Sequence, residues 1–169
     1  MPPWRMGMST RRWLMPLGAA ALAVLPMGPA QAAESVAYCF HAWTDTADPG
    51  VSAEPGETKF TSNGEKWKLR CQGDVRGHRV TGDGTFGEFG VIDGNCMAGQ
   101  GEVNFSFTIP TEGGPQKFRL TFPFVYGPGG GTARTDDFPG VFAFYPTEGD
   151  CMNKPVTRFE VVRNAVLYS

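Results

Sequence analysis

Residues 103–109 alternate without a fault, with Val103, Phe105, Phe107 and Ile109 on one side and Asn104, Ser106 and Thr108 on the other. A period of two is what a strand with one buried face requires, because successive side chains leave a strand in opposite directions. Residues 118–126 repeat the pattern with Phe118, Leu120, Phe122, Phe124 and Tyr126 on the apolar side. The segment between them, PTEGGPQ, has the length and composition of a hairpin loop. Pro123 has no N–H to give a ladder, which predicts a sheet edge or a bulge at that end of the strand.

A third alternating stretch, TKFTSNGEKWKLRC at residues 58–71, is interrupted by Asn63 and Gly64. Asn-Gly supplies the two positive φ angles of a type I′ turn, so the sequence predicts a two-residue hairpin in which Phe60 faces Trp67 and Thr58 faces Leu69. Lys59, Lys66, Lys68 and Arg70 then take the wet face. Further strands are expected at residues 36–42, 79–80 with 86–92, 141–145 and 156–162. Residues 44–57, TDTADPGVSAEPGE, are polar and turn-rich and read as a long surface loop.

No stretch beyond the N-terminal segment shows the i, i+3, i+4 recurrence of an amphipathic helix. Short strands punctuated by glycine and proline define an all-β domain: seven to nine antiparallel strands in a single β-sandwich or flattened β-barrel, a choice the pattern leaves open. Thirteen phenylalanines, all after residue 39, are enough to fill its core.

The first residues change the setting. Arg5, Arg11 and Arg12 precede an apolar run, WLMPLGAAALAVL, which ends near Ala30 and Ala32 in the small-residue pattern of a cleavage site. This reads as a secretory signal peptide over residues 1–32, with residues 33–169 as the exported domain. The run is shorter than the about 20 residues that span a bilayer. TRRWLM also resembles a twin-arginine export signal, and either route leads outside the cell. Cleavage near Ala32 removes three of the 15 basic residues and none of the 17 acids, leaving 12 against 17 and a net charge of −5. Such a surface repels phosphate backbones and anionic lipid, so neither nucleic acid nor a membrane is an expected partner.

Four cysteines, Cys39, Cys71, Cys96 and Cys151, in an exported chain imply two disulfides. Of the three possible pairings, Cys39 with Cys71 and Cys96 with Cys151 is preferred, because the first two fall on neighbouring predicted strands. No C-x2-C spacing suggests a metal site, and His41 and His78 are the only histidines.

Candidate chemistry is sparse. GDGTFG, residues 82–87, matches G-x-G-x-x-G, but a dinucleotide site needs a helix after the glycines, and EFGVIDGNC favours a strand. The glycines are instead expected to mark a turn, bulges or close passage of another backbone. GPGGGT, residues 127–132, lacks the lysine of a phosphate loop and reads as a flexible connection that could cover a mouth. Asp45, Asp48, Asp93, Asn95, Asp136 and Asp137 are oxygen donors without the spacing of a calcium loop. No metal or cofactor is therefore expected. His41 shares parity with Cys39 and Trp43 and is expected against the core or beside a disulfide, whereas His78 sits among exposed residues. Asp83, Glu88, Glu102 and Glu160 are the acids nearest predicted strands; an inward-turned one would be a clue to catalysis, and parity turns Glu160 outward.

Residues 82–114 and 144–161 carry Gly94–Cys96, Gly99–Gly101, Gly149–Cys151 and Pro155–Thr157, the G-x-C, G-x-G, G-D-C and P-V-T elements that recur around a β domain in small exported actinobacterial proteins of unassigned function. The chain resembles these proteins over about a third of its exported part. The resemblance favours Cys96 paired with Cys151 and implies no activity.

The expectation is an exported, non-enzymatic β-domain that binds an extracellular protein, a glycan or a small apolar ligand. The competing class is a cavity-type β-barrel enzyme such as a cyclase or isomerase, which shapes a reactive substrate with few titrating groups.

Overall fold

The computed structural model describes residues 35–62 and 67–169, so the segment read as a signal peptide and the Asn63–Gly64 pair lie outside it. Every regular element described is a strand: β1 (Val36–Val51), β2 (Gly56–Ser62), β3 (Trp67–Val75), β4 (His78–Arg79), β5 (Gly84–Gly94), β6 (Gly99–Ile109), β7 (Gln116–Gly127), β8 (Gly130–Ala133), β9 (Gly140–Glu148) and β10 (Val156–Tyr168).

These strands close into a barrel. Antiparallel pairing runs from β10 through β9, β8, β7, β6 and β5 to β2, then to β1, and β1 returns to β10 in a register reaching from Val36↔Tyr168 to Thr46↔Arg158. Eight positions around the ring are filled, with β3 and β4 as additions, so the barrel is the form adopted and the sandwich is not. Closure gives every strand of the ring two neighbours, and eight strands enclose a space that side chains fill or that holds one small ligand.

Closure also overrules the strongest local signal. β2 and β3 do not form a hairpin: Ser62 pairs with Asp45 and Leu69 with His41, so both strands run antiparallel to β1 and in one direction. Both also pair with β5, Phe60 opposite Gly90 and Leu69 opposite Gly84, in place of the expected Phe60–Trp67 and Thr58–Leu69 partnerships. They share one position in the ring because β1 and β5 offer pairing partners along their whole length. The two-residue hairpin is instead β3–β4, where Val75 pairs with His78 and Arg76 and Gly77 both take positive φ.

The surface loop expected at residues 44–57 is mostly strand. β1 continues to Val51, with Asp45, Ala47 and Val51 buried in its alternation, and only residues 52–55 connect it to β2.

The barrel has one packed end and one hollow one. At the start of β1 the interior is filled by Ala37, Leu69, Val75, Ile109, Phe138 and Leu167, all essentially inaccessible to solvent. Phe138 comes from the link between β8 and β9, and its ring stacks on Phe105 and Phe107 inside the barrel. The β7–β8 ladder stops at Phe124↔Ala133, so Pro123 lies at a local sheet edge, as its missing N–H requires. The Cys39–Cys71 disulfide ties β1 to β3 near this end. Outside, Lys59, Lys68, Arg70, Glu102, Lys117, Arg119 and Glu160 face solvent.

Candidate functional site

The other half of the interior is a cavity of ≈ 120 Å³. Its walls are apolar: Val51, Phe60 and Ile92 on one side, Phe124, Tyr126, Phe142, Phe144 and Phe159 on the other. The space exists because four of these rings lie flat against the wall, each over a glycine directly across the ladder. Phe60 pairs with Gly90, Phe124 with Gly101, Tyr126 with Gly99 and Phe142 with Gly131. A β-carbon on these glycines would come within 2.5, 2.4, 2.5 and 2.6 Å of the respective ring or its hydroxyl. Any other residue there would drive the ring inward. Gly90, just past the GDGTFG motif, is thus a seat for Phe60, and the chain after Gly87 continues as strand where a phosphate site needs a helix.

Four polar side chains floor the cavity halfway down the barrel: Trp43 and Asp45 from β1, Glu88 from β5 and Arg163 from β10. Asp45 is 1% exposed, Arg163 3% and Glu88 8%. The Trp43 indole Nε1–H donates to Glu88 Oε1 at 2.9 Å. The Asp45 and Glu88 carboxyls hydrogen-bond to each other, which two carboxylates can do only when one holds a proton. Burial, and then the negative charge of Glu88, raise Asp45 well above the usual carboxylate range, and the two carboxyls titrate as a pair. Burial pushes Glu88 up to about 7, against the lowering effects of the Asp45 hydrogen bond, the Arg163 charge and the Trp43 donor.

The backbone beneath Glu88 explains why this position stands apart. The β2–β5 ladder ends at Thr61↔Phe89 and β3–β5 pairing resumes at Phe86, which leaves the Glu88 amide and carbonyl without strand partners on that side. Ser62 supplies both: its Oγ accepts from Glu88 N at 3.0 Å and donates to Glu88 O at 3.3 Å.

Arg163 is held from above and below. Its Nη2 donates to the Phe138 carbonyl at 2.8 Å, and its guanidinium carbon lies 4.5 Å from the Phe138 ring centre and 4.8 Å from that of Phe122. Burial lowers its pKa to about 10, which still leaves it charged at neutral pH. Its Nε, and Oδ1 of Asp45, have no hydrogen-bond partner among the described residues.

His41 lies one layer deeper, as its parity with Cys39 and Trp43 predicts. Its ring stacks on Trp43 at 4.6 Å and meets Phe86 edge-on at 4.9 Å. Burial, assisted by the Arg163 charge, holds its pKa well below 6.5, so the imidazole is neutral. It is a core residue and does not line the cavity.

The mouth is crossed by the second disulfide. Around the ring, the β5–β6 turn and the β9–β10 turn stand opposite each other, and Cys96 in one is bonded to Cys151 in the other with 6.2 Å between α-carbons. The turns are built alike, each around the residue before the cysteine. Asn95 Oδ1 accepts from the amides of Met97 and Ala98, and Asp150 Oδ1 accepts from those of Met152, Asn153 and Lys154. Hydrogen bonds from the Asn153 side chain and these amides hold Asp150 down at about 2. Residues 127–132 join β7 to β8 at the same rim as a hairpin, with Pro128 and Gly129 at its corner.

Of the four acids weighed for catalysis from sequence, only Glu88 reaches the cavity. Asp83 is exposed and pairs with Lys68 at 3.6 Å, and Glu102 and Glu160 face outward. Asp45 and Asp48 fall on opposite faces of β1, and no group of three His, Cys, Asp or Glu among the described residues is placed to hold a metal. His78 is exposed. Arg163 and the inward role of Asp45 escaped the sequence reading, although Arg163 shares parity with Phe159, Val161, Ala165 and Leu167. The disulfides are those preferred from sequence and are consistent with an extracellular protein. No protein-family model matches the chain, nor does any curated protein or solved structure.

Proposed function

We propose that the protein is an exported β-barrel that takes a small, mainly apolar molecule into its open half. The observation that carries this reading is the set of rings seated on glycines. A wall that sacrifices side chains on one strand so that rings can lie back on the next keeps open a space that leucines or valines would have closed. The space of ≈ 120 Å³ is of the same order as the about 150 Å³ apolar cavity that takes up a benzene ring. Signal-peptide features, two disulfides and a charged outer face fit a protein that works outside the cell, in water rather than among lipid tails.

The test is titration of the oxidised protein with benzene, followed by methyl NMR. Shifts are expected at Val51, Ile92, Val103, Val156 and Val161 and not at Leu69, Ile109 or Leu167 in the packed end. Val161→Phe, which fills the space, should abolish them. Shifts that are absent, or spread over the outer face, would refute the reading.

A second reading, a cavity enzyme of the cyclase or isomerase type, is favoured by one observation: the proton-sharing Asp45–Glu88 pair at the foot of an apolar chamber. A carboxylate near 7 is matched to proton transfer at neutral pH. Its signature would be turnover of a bound compound that Glu88→Gln stops without weakening binding.

A further inference from the structure

The outer face of the barrel differs from one side to the other. On β6 and β7 the outward positions are polar, with Asn104, Ser106 and Thr108 opposite Thr121, Arg119 and Lys117. On β1 they are Tyr38, Phe40 and Ala42, and on β10 and β9 they include Val162, Val141 and Tyr145. Strands that are apolar on both faces are those covered on both sides, yet Tyr38 is 67% exposed, Val141 56%, Tyr145 55% and Phe40 42%. Tyr38, Phe40, Arg70 and Val141 line one groove on the outside of the barrel. At about 200 Å² per aromatic side chain the three rings alone expose roughly 300 Å², and their aliphatic neighbours bring the patch to about 500 Å². That is within the less than about 600 Å² a side that a weak complex buries. The charges stand at two corners of the patch. Arg70 on β3 lies beside Phe40 and Glu160 on β10 lies beside Thr44, so they are about 10 Å apart across the strands and about 13 Å apart along β1, with Ala42 midway. Among the described residues the one ion pair is Lys68–Asp83, so neither Arg70 nor Glu160 is in one.

We propose that this face pairs with the same face of a second copy of the chain, related by a two-fold axis that lies in the interface at Ala42, at right angles to the line from Arg70 to Glu160. A two-fold interface is reciprocal, so Arg70 meets the partner's Glu160 and Glu160 meets the partner's Arg70. By the register, the same rotation lays Phe40 over the partner's Val162. The chain itself supplies what the face requires: an apolar patch of equal size, a carboxylate opposite Arg70 and a guanidinium opposite Glu160.

Sedimentation equilibrium of the oxidised protein, from about 5 to about 500 µM, is expected to show monomer passing to dimer with a Kd on the order of 10–100 µM, as suits so small an interface. Glu160→Arg sets like charges against each other at both ends of the face and should weaken the dimer by about tenfold or more, as should Arg70→Glu. Combining the two reversals rebuilds both ion pairs with their signs exchanged, and should return the Kd to near the wild-type value, a recovery that misfolding cannot produce. Tyr38→Ser, which trims the most exposed ring of the patch, should weaken the dimer without a charge change. A protein that stays monomeric at the highest concentration, a dimer indifferent to the single reversals, or a double reversal that does not recover would each overturn the proposal.

Discussion

Phe124 stands directly across the β6–β7 ladder from Gly101, and the far end of its ring lies 2.4 Å from where a β-carbon on that glycine would be. The Val91 carbonyl is equally close on the other side, at 2.2 Å, so the backbone cannot give way either. Gly101→Ala should therefore push Phe124 into the cavity, at a cost of about 1–3 kcal/mol for an overpacked core site. Chemical denaturation should report that loss, and benzene binding should fall with it. A variant that melts like wild type and binds as before would mean that the rings are not held back by the glycines.

Glu88 gives stability a pH dependence of definite sign. Its native pKa of about 7 lies above the ordinary glutamate value of 4.5, so between these values the folded chain holds a proton that the unfolded chain has released. Stability from this group is fully present below about 4.5 and is lost as pH rises to about 7, by roughly 3 kcal/mol. A glutamine at this position has no proton to lose. Urea unfolding at pH 4, 6 and 8 should show Glu88→Gln gaining on wild type by about that amount across the range, and parallel curves would refute the assignment of a buried, proton-binding Glu88.

Arg163 acts on two titrations in the same direction. Its charge favours the ionised form of Glu88 and disfavours the protonated form of His41, holding both pKa values down. In Arg163→Met, carbon-13 NMR should find the Glu88 carboxyl titrating above about 7 and the His41 ring moving back toward 6.5. A downward shift in either would show that the guanidinium is not the charge that both groups feel.

The origin of these groups marks what a sequence can and cannot disclose. Parity places Glu88 with Phe86 and Ile92, and Arg163 among Phe159, Val161, Ala165 and Leu167, so a charged residue in an inward row was there to be noticed. Asp45 continues the row of Cys39, His41 and Trp43, but the aspartates, proline and glycine around it have the composition of a loop and mask the alternation. What no local pattern contains is the ring closure that brings β1, β5 and β10 to one floor, since that depends on pairings more than a hundred residues apart, such as His41 with Arg163. The Asn63–Gly64 signal failed for the same reason. A turn preference of a few residues competes with two full-length neighbours, β1 and β5, and the neighbours decide the direction of β3.

The two disulfides should differ in what they guard. Both shorten the reach of the unfolded chain, with sequence separations of 32 and 55, and by loop-closure entropy each stabilises by about 4 kcal/mol. Cys39–Cys71 joins directly paired residues of neighbouring strands at the packed end, so its loss changes global stability and little else. Cys96–Cys151 instead holds two opposed turns together across the mouth, and its loss frees them to part. The Trp43 indole proton, hydrogen-bonded to Glu88 at the cavity floor, reports on this locally. In Cys96→Ser with Cys151→Ser, its exchange with solvent should accelerate more than that of the amides of Leu69 and Ile109. In Cys39→Ser with Cys71→Ser, all three should accelerate together, as global unfolding dictates. Uniform acceleration in both double variants would show that the bridge across the mouth does not control entry to the cavity.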